Sequence, residues 1–289
     1  MDKINKINKI ELQGVSKAFG KVQAVKNIDL TFEQGKVYGL LGRNGAGKST
    51  LLNIITGRIF SDCGSITIDG ESVPENDRAM NKIYHMGEKN CYPDTMRIRE
   101  AFYWGNRLYP NFDLENANYL AEEFSLNVKQ RVKELSTGMS SMFRLAIALS
   151  SGTPYVFLDE PVLGLDAVHR EQFYRLLVRQ FEKKPACYII STHLIEEAAG
   201  IIEDVIIIKK GEILLCESTE NLLERGYTVA GTIAAVDAFV QDKDCIGQEQ
   251  LGGLKSAYIL EKLEKSQVPE GLEITKLNLQ QLFVQLTKE

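Results

Sequence analysis

Gly42-Arg43-Asn44-Gly45-Ala46-Gly47-Lys48-Ser49-Thr50 is the stretch on which the reading of this chain turns. It fits the pattern G-x-x-x-x-G-K-[ST]. The run before it, Val37-Tyr38-Gly39-Leu40-Leu41, predicts a short buried strand. The run after it, from Ser49 to Ile59, predicts a helix with Leu51, Leu52, Ile54 and Ile55 at its apolar positions. Strand, glycine loop and helix together suit an anion. Glycines let backbone N–H groups approach without a side chain in the way, and the helix N-terminus adds partial positive charge. Lys48 suits a place between the β- and γ-phosphates of a nucleoside triphosphate, and the Ser49 hydroxyl suits Mg²⁺. A nucleoside triphosphate and Mg²⁺ are therefore the expected ligands.

Outward from the loop, residues 7–41 alternate apolar and polar stretches around turns at Phe19-Gly20-Lys21 and Glu33-Gln34-Gly35, which predicts antiparallel strands. Ile66-Thr67-Ile68 is a further short strand. From Ile98 to Leu149 the spacing is mostly helical, interrupted at Tyr109-Pro110. Tyr155–Leu158, Cys187–Ile190 and Val205–Ile208 then predict buried strands, with a helix near 170–181 between the first two. Strands alternating with helices imply a mainly parallel sheet, hence an α/β core with an antiparallel β subdomain and an inserted helical subdomain at about 89–150. The core is expected to span 8–217. Residues 218–289, broken by Gly231, Gly247, Gly252 and Gly253, read as a less regular accessory region.

The formal net charge of -5 in 289 residues argues against a nucleic-acid partner, which favours a basic face. The five cysteines are scattered and form no C-x-x-C pair, so neither a zinc site nor a disulfide framework is expected, and a reducing cytoplasm fits. The N-terminal residues lack the apolar run of a signal peptide. No apolar stretch approaches the roughly 20 residues that span a bilayer. The strongest one, Val205–Ile208, runs into two lysines. Work at a membrane would need a separate subunit to supply the span.

A second constellation follows the strand Tyr155–Leu158, which ends in Asp159-Glu160. In an open parallel sheet, ligands bind at that edge. Asp159 suits Mg²⁺ through its water shell, and Glu160 suits the polarisation of an attacking water.

With a third piece, Leu135-Ser136-Thr137-Gly138-Met139, the chain resembles the nucleotide-binding subunits of ATP-binding cassette (ABC) transporters. Within that family it is similar to bacterial exporter subunits linked to drug and peptide-antibiotic resistance, whose end the tail Leu277–Thr287 also resembles. The family signature is usually L-S-G-G-Q. Ser136 and Gly138 match it, whereas Thr137 and Met139 depart from it, and Met139 lacks the amide. The resemblance implies that Ser136 and Gly138 cap the γ-phosphate of an opposing subunit. It further implies that Phe19 stacks on adenine, that Asp166 in Leu163-Gly164-Leu165-Asp166 belongs to a loop crossing the dimer interface, and that His193 bridges γ-phosphate and water. Glu88 stands where the family has a glutamine that reaches Mg²⁺ and the water. His85 and His169 match no family position.

The resemblance thus implies an ATPase that dimerises around ATP with a like or unlike second cassette, and couples to a separate polytopic membrane subunit at the inner face of the cell membrane. The competing readings are a soluble ABC ATPase of the iron–sulfur assembly type and a weakly hydrolysing regulatory cassette, the latter suggested by Met139 and Glu88.

Overall fold

The computed structural model of the protein describes residues 8–87, 89–263 and 269–288. Glu88 lies outside them. The chain opens with two long strands, β1 (Lys9–Phe19) and β2 (Val22–Glu33), followed by β3 (Val37–Leu41) and helix α1 (Lys48–Ile55). Next come β4 (Cys63–Ile68), β5 (Glu71–Ser72), α2 (Asp77–Met80) and β6 (Ile83–Met86). The helices α3 (Ile98–Leu108), α4 (Leu114–Glu123) and α5 (Thr137–Ser150) lead to β7 (Tyr155–Asp159), α6 (Ala167–Lys183), β8 (Cys187–Ser191), α7 (Ile195–Ala198), β9 (Asp204–Lys209) and β10 (Glu212–Ser218). The remainder is α8 (Thr219–Arg225), β11 (Gly226–Thr232), α9 (Ile233–Val240), β12 (Cys245–Leu251), β13 (Leu254–Leu260), β14 (Glu273–Lys276) and α10 (Leu279–Thr287).

The central sheet has the order β10-β9-β3-β8-β7-β6. All its pairs are parallel except β10 on β9. Strands β3, β7 and β8 are buried at every position, because both faces are covered. Side chains alternate between two cores. Val37, Leu41, Val156, Leu158, Tyr188 and Ile190 join the helical side. Tyr38, Leu40, Tyr155, Phe157, Cys187 and Ile189 meet α1 and the antiparallel sheet β2-β1-β4-β5. The helical subdomain fills the first core with Ile98, Phe102, Leu120 and Phe143. Every residue of α5 from Ser141 to Ser150 is buried.

Two local readings change. The helix after the glycine loop ends at Ile55, four residues earlier than its apolar pattern suggested, because Gly57 turns the chain at φ 65°. The accessory region is more regular than its glycines implied, with a sheet β12-β13-β11-β14 around Val229, Val236, Val240, Ala257 and Ile259. Gly231 lies inside β11, Gly247 sits at a register shift in β12, and Gly252 turns the β12–β13 hairpin at φ 59°. Leu277, Leu279 and Leu282 carry α10 back into the main core.

Gly152, just past α5, has φ 66°, and a Cβ there would collide with the Asn111 carbonyl oxygen. Gly152→Ala should therefore lower stability by about 2–4 kcal/mol, whereas Gly253→Ala, with open space around it, should stay within about 0.5 kcal/mol. Urea midpoints of the two variants against wild type check this.

Candidate nucleotide site

The loop 42–50 leaves the C-terminal end of β3 and winds into α1. Gly45 and Gly47 adopt φ 79° and 111°, which only glycine takes without strain. A side chain at Gly47 would also strike the Ala24 carbonyl oxygen. The loop is pinned from outside, since Gly211 N–H donates to the Ala46 carbonyl at 2.9 Å and Lys26 N–H donates to the Gly211 carbonyl at 2.8 Å. Inside the loop, the Lys48 ammonium donates to the Gly42 carbonyl at 2.6 Å. Burial lowers the Lys48 pKa, and the Glu160 and Asp159 charges oppose that shift. A partly desolvated cation held among backbone dipoles is prepared for phosphate oxygens.

Asn44–Thr50, Glu160, Leu163 and His193 line one cavity of about 720 Å³. Asp159 is buried at the end of β7, and its Oδ1 has no hydrogen-bond partner among the described residues. The Ser49 side chain is exposed at the first turn of α1. An orphaned carboxylate oxygen and a free-standing hydroxyl, both hard oxygen donors, fit Mg²⁺. No cluster of three or more His, Cys, Asp or Glu side chains occurs among the described residues, so phosphate oxygens and water would complete the shell.

Glu160 follows β7 with φ 49°, an uncommon conformation outside glycine. Its N–H donates to the Ser191 carbonyl at 2.8 Å, which fixes the turn across β8. The carboxylate Oε2 lies 2.8 Å from His193 Nδ1. The pair thus presents a carboxylate and an imidazole to the cavity that the glycine loop also lines.

The other sequence-chosen residues among those described do not line this cavity. Ser136 N-caps α5, accepting from Met139 N–H at 3.2 Å, and is exposed. A Cβ on Gly138 would press on the Gly164 carbonyl oxygen at 3.0 Å. Asp166 N-caps α6 through His169 N–H and also meets His169 Nδ1, each at 2.9 Å. Phe19 is 52% exposed at the β1–β2 turn, with the Lys17 ammonium 5.7 Å from its ring centre. Gly42 and Arg43 line a neighbouring cavity of about 650 Å³ that also takes in His193 and, from the tail helix, Phe283 and Thr287. The Lys209 ammonium fastens that helix by donating to the carbonyls of Leu286 at 3.3 Å and Lys288 at 2.9 Å. Sequence reasoning missed this wall, whose one local signal was the apolar spacing of 277–287.

A family model for ABC transporters matches residues 25–163. The ABC transporter ATP-binding protein YtrB of Bacillus subtilis is 34% identical over 201 residues, spanning 68% of this chain and 69% of that protein. The chain belongs to the ABC transporter ATP-binding family. It is an ABC ATPase subunit that binds and hydrolyses ATP. The linearmycin resistance ATP-binding protein LnrL of Bacillus subtilis is 27% identical over 306 residues, spanning 96% of this chain and 98% of that protein. Ribose import ATP-binding proteins are among the matches as well. The bacterial ABC transporter cassette MJ0796, solved as a dimer, shares the fold with a TM-score of 0.65 and 24% identity over 73% of this chain and 98% of that one. No helix among the described residues is long and apolar enough to cross a membrane.

Two predictions test this ABC subunit's site. Lys48→Met keeps the length and removes the charge. It should weaken ATP binding at least about tenfold, and the nucleotide-free protein should not gain stability, because the Gly42 carbonyl loses its donor and Asp159 and Glu160 lose the neighbouring cation. Nucleotide titration and urea denaturation read the two effects separately. His85, on β6, meets Thr56 Oγ1 at 3.2 Å through Nδ1, and its Nε2 is buried without a partner among the described residues. Burial, with help from the Arg58 charge, pushes its pKa down to about 4 from 6.5. The unfolded chain takes up the proton first, so this contribution to stability is complete above the ordinary value and is lost as pH falls toward 4. His85→Asn should remove about 1–2 kcal/mol of the difference between urea stabilities at pH 7 and pH 5.

Proposed function

We propose that the chain is the ATP-hydrolysing motor of an exporter and works as a Mg²⁺-dependent, head-to-tail dimer on a separate polytopic membrane subunit. The observation that carries this reading is the separation inside one chain. The glycine loop, Glu160 and His193 share one cavity, while Ser136 and Gly138 stand outside it at the exposed N-terminus of α5. A second cassette would bring its own Ser136 and Gly138 over the γ-phosphate. ATP then favours the closed dimer through contacts that the open form lacks.

In this reading, the amides of Gly45–Thr50 and the Lys48 ammonium hold the β- and γ-phosphates. Ser49 and Asp159 would hold Mg²⁺, which would neutralise charge on the phosphate oxygens. Glu160 accepts a proton from the attacking water, and His193, through its contact with Oε2, orients that carboxylate. Similarity along nearly the whole chain to LnrL, a resistance protein, supports export, and membership of the ABC transporter family supports a membrane partner and hence a place at the inner face of the cell membrane.

Glu160→Gln should bind Mg²⁺-ATP, lose turnover by about 10²–10⁴-fold and accumulate as a dimer in size-exclusion chromatography. Wild-type turnover in this variant overturns the role of Glu160, and a monomer at saturating ATP overturns the sandwich. Affinity capture of the tagged chain from solubilised membranes should recover a polytopic protein, and recovery of soluble partners alone overturns the transporter assignment.

A further inference from the structure

Arg144 is buried in the middle of α5, 8% exposed, on the helix that begins with Ser136. Among its partners are three acceptors in the described residues. Nη1 donates to the Gly87 carbonyl at 2.7 Å, Nε donates to the Ser140 carbonyl at 3.3 Å, and Nη2 donates to Ser141 Oγ at 3.1 Å. The Ser141 hydroxyl in turn donates to the Leu163 carbonyl at 2.9 Å. Leu163 N–H donates to the Glu160 carbonyl at 3.2 Å, and Leu163 lines the nucleotide cavity. Hydrogen bonds joined through the Leu163 backbone thus link the loop after β6, by way of the interior of α5, to the residue that follows β7.

We propose that Arg144 is a positioning residue for ATP hydrolysis. It ties the Gly87 loop, the signature-bearing helix and the Glu160–Leu163 turn into one body. The inference rests on the ATPase assignment and on the role given to Glu160.

Three features of the site support it. A planar guanidinium presents donors in several fixed directions, so one side chain can serve a loop carbonyl, a helix carbonyl and a hydroxyl at once; a lysine ammonium at the end of a flexible stem does not reproduce that fork. The group lies in the interior, where a hydrogen bond is stronger and an unmade one is costly, so the linked loops do not separate freely. The line ends on the backbone of Glu160, whose left-handed φ of 49° is braced by the Leu163 N–H at its carbonyl and by its own N–H on the Ser191 carbonyl. Releasing the Leu163 side of that turn would let the carboxylate drift from its place beside His193. Arg144 itself does not line the cavity. Its removal should therefore change the rate of hydrolysis and leave nucleotide binding in place.

The test is a pair of variants and their combination in the full chain. Ser141→Ala deletes only the relay hydroxyl and is the mild variant, and Arg144→Ala deletes the fork. Binding of ATP is titrated with EDTA present to stop turnover, and kcat is measured with Mg²⁺. Arg144→Ala should lower kcat at least about tenfold with less than about threefold change in ATP affinity. Ser141→Ala should lower kcat by a smaller factor, and the double variant should be no slower than Arg144→Ala, because both lesions cut one line. Arg144→Lys should recover less than half of the lost rate. Unchanged kcat in Arg144→Ala overturns the proposal, as do multiplicative effects in the double variant. So does a parallel loss of affinity and thermal stability, which marks a purely structural role. Should Arg144→Ala not fold, normal kcat in Ser141→Ala overturns the relay on its own. Glu160→Gln run alongside separates the two readings. Slow Glu160→Gln with normal Arg144→Ala removes the proposal alone, whereas wild-type rates in Glu160→Gln remove the reading on which it rests.

Discussion

A lysine ammonium drawn out of water into a ring of backbone dipoles is the constraint from which the rest of the structure follows. Lys48 lies against the Gly42 carbonyl in a loop that exists only because two glycines turn left-handed. Such a loop would collapse onto its own cation if nothing braced it. The bracing comes from the sheet beneath, where β3 is gripped by β8 on one side and β9 on the other, and from the Gly211 turn that hooks the Ala46 carbonyl from outside. The acids that balance Lys48 enter from β7 across the same sheet, so charge, scaffold and cavity form one arrangement.

Much of this was legible because the signals are local. Five buried residues in β3 followed at once by a glycine run, and four apolar ones in β7 followed at once by two carboxylates, announce parallel strands with a ligand at their C-terminal edge. The antiparallel subdomain shows in the period-2 pattern of β1. What was not legible depends on partners far off in the chain. Nothing near Arg144 says that its fork meets Gly87, and nothing near Lys209 says that it meets Leu286. The accessory sheet was hidden for a different reason. Its glycines stand at a bulge, a hairpin turn and inside a strand, uses that look like breaks in a linear reading. His169 was set aside for want of a family position and is instead bound to the Asp166 carboxylate.

The C-terminal region is joined to the ATPase core by more than the direct step from β10 to α8. Lys209, at the end of β9, places a positive charge at the C-terminal end of α10, where the helix dipole favours it. The next residue, Lys210, lines both cavities around the glycine loop. The strand that holds the phosphate-loop strand on one flank therefore holds the tail helix at its tip. The accessory sheet and the nucleotide site share a mechanical support.

The strand order carries a consequence for how the chain comes into being. Val37 pairs with Tyr188, and Tyr38 with Asp204, so both neighbours of β3 are made long after it. During synthesis β3 emerges as an apolar strand with both edges open, while the helical insertion can settle through contacts closer in sequence. Non-local parallel pairing of this kind is slow, and open apolar edges invite association with other chains. The segment to which the nucleotide-gripping role is assigned is thus the one most in need of shelter on the ribosome.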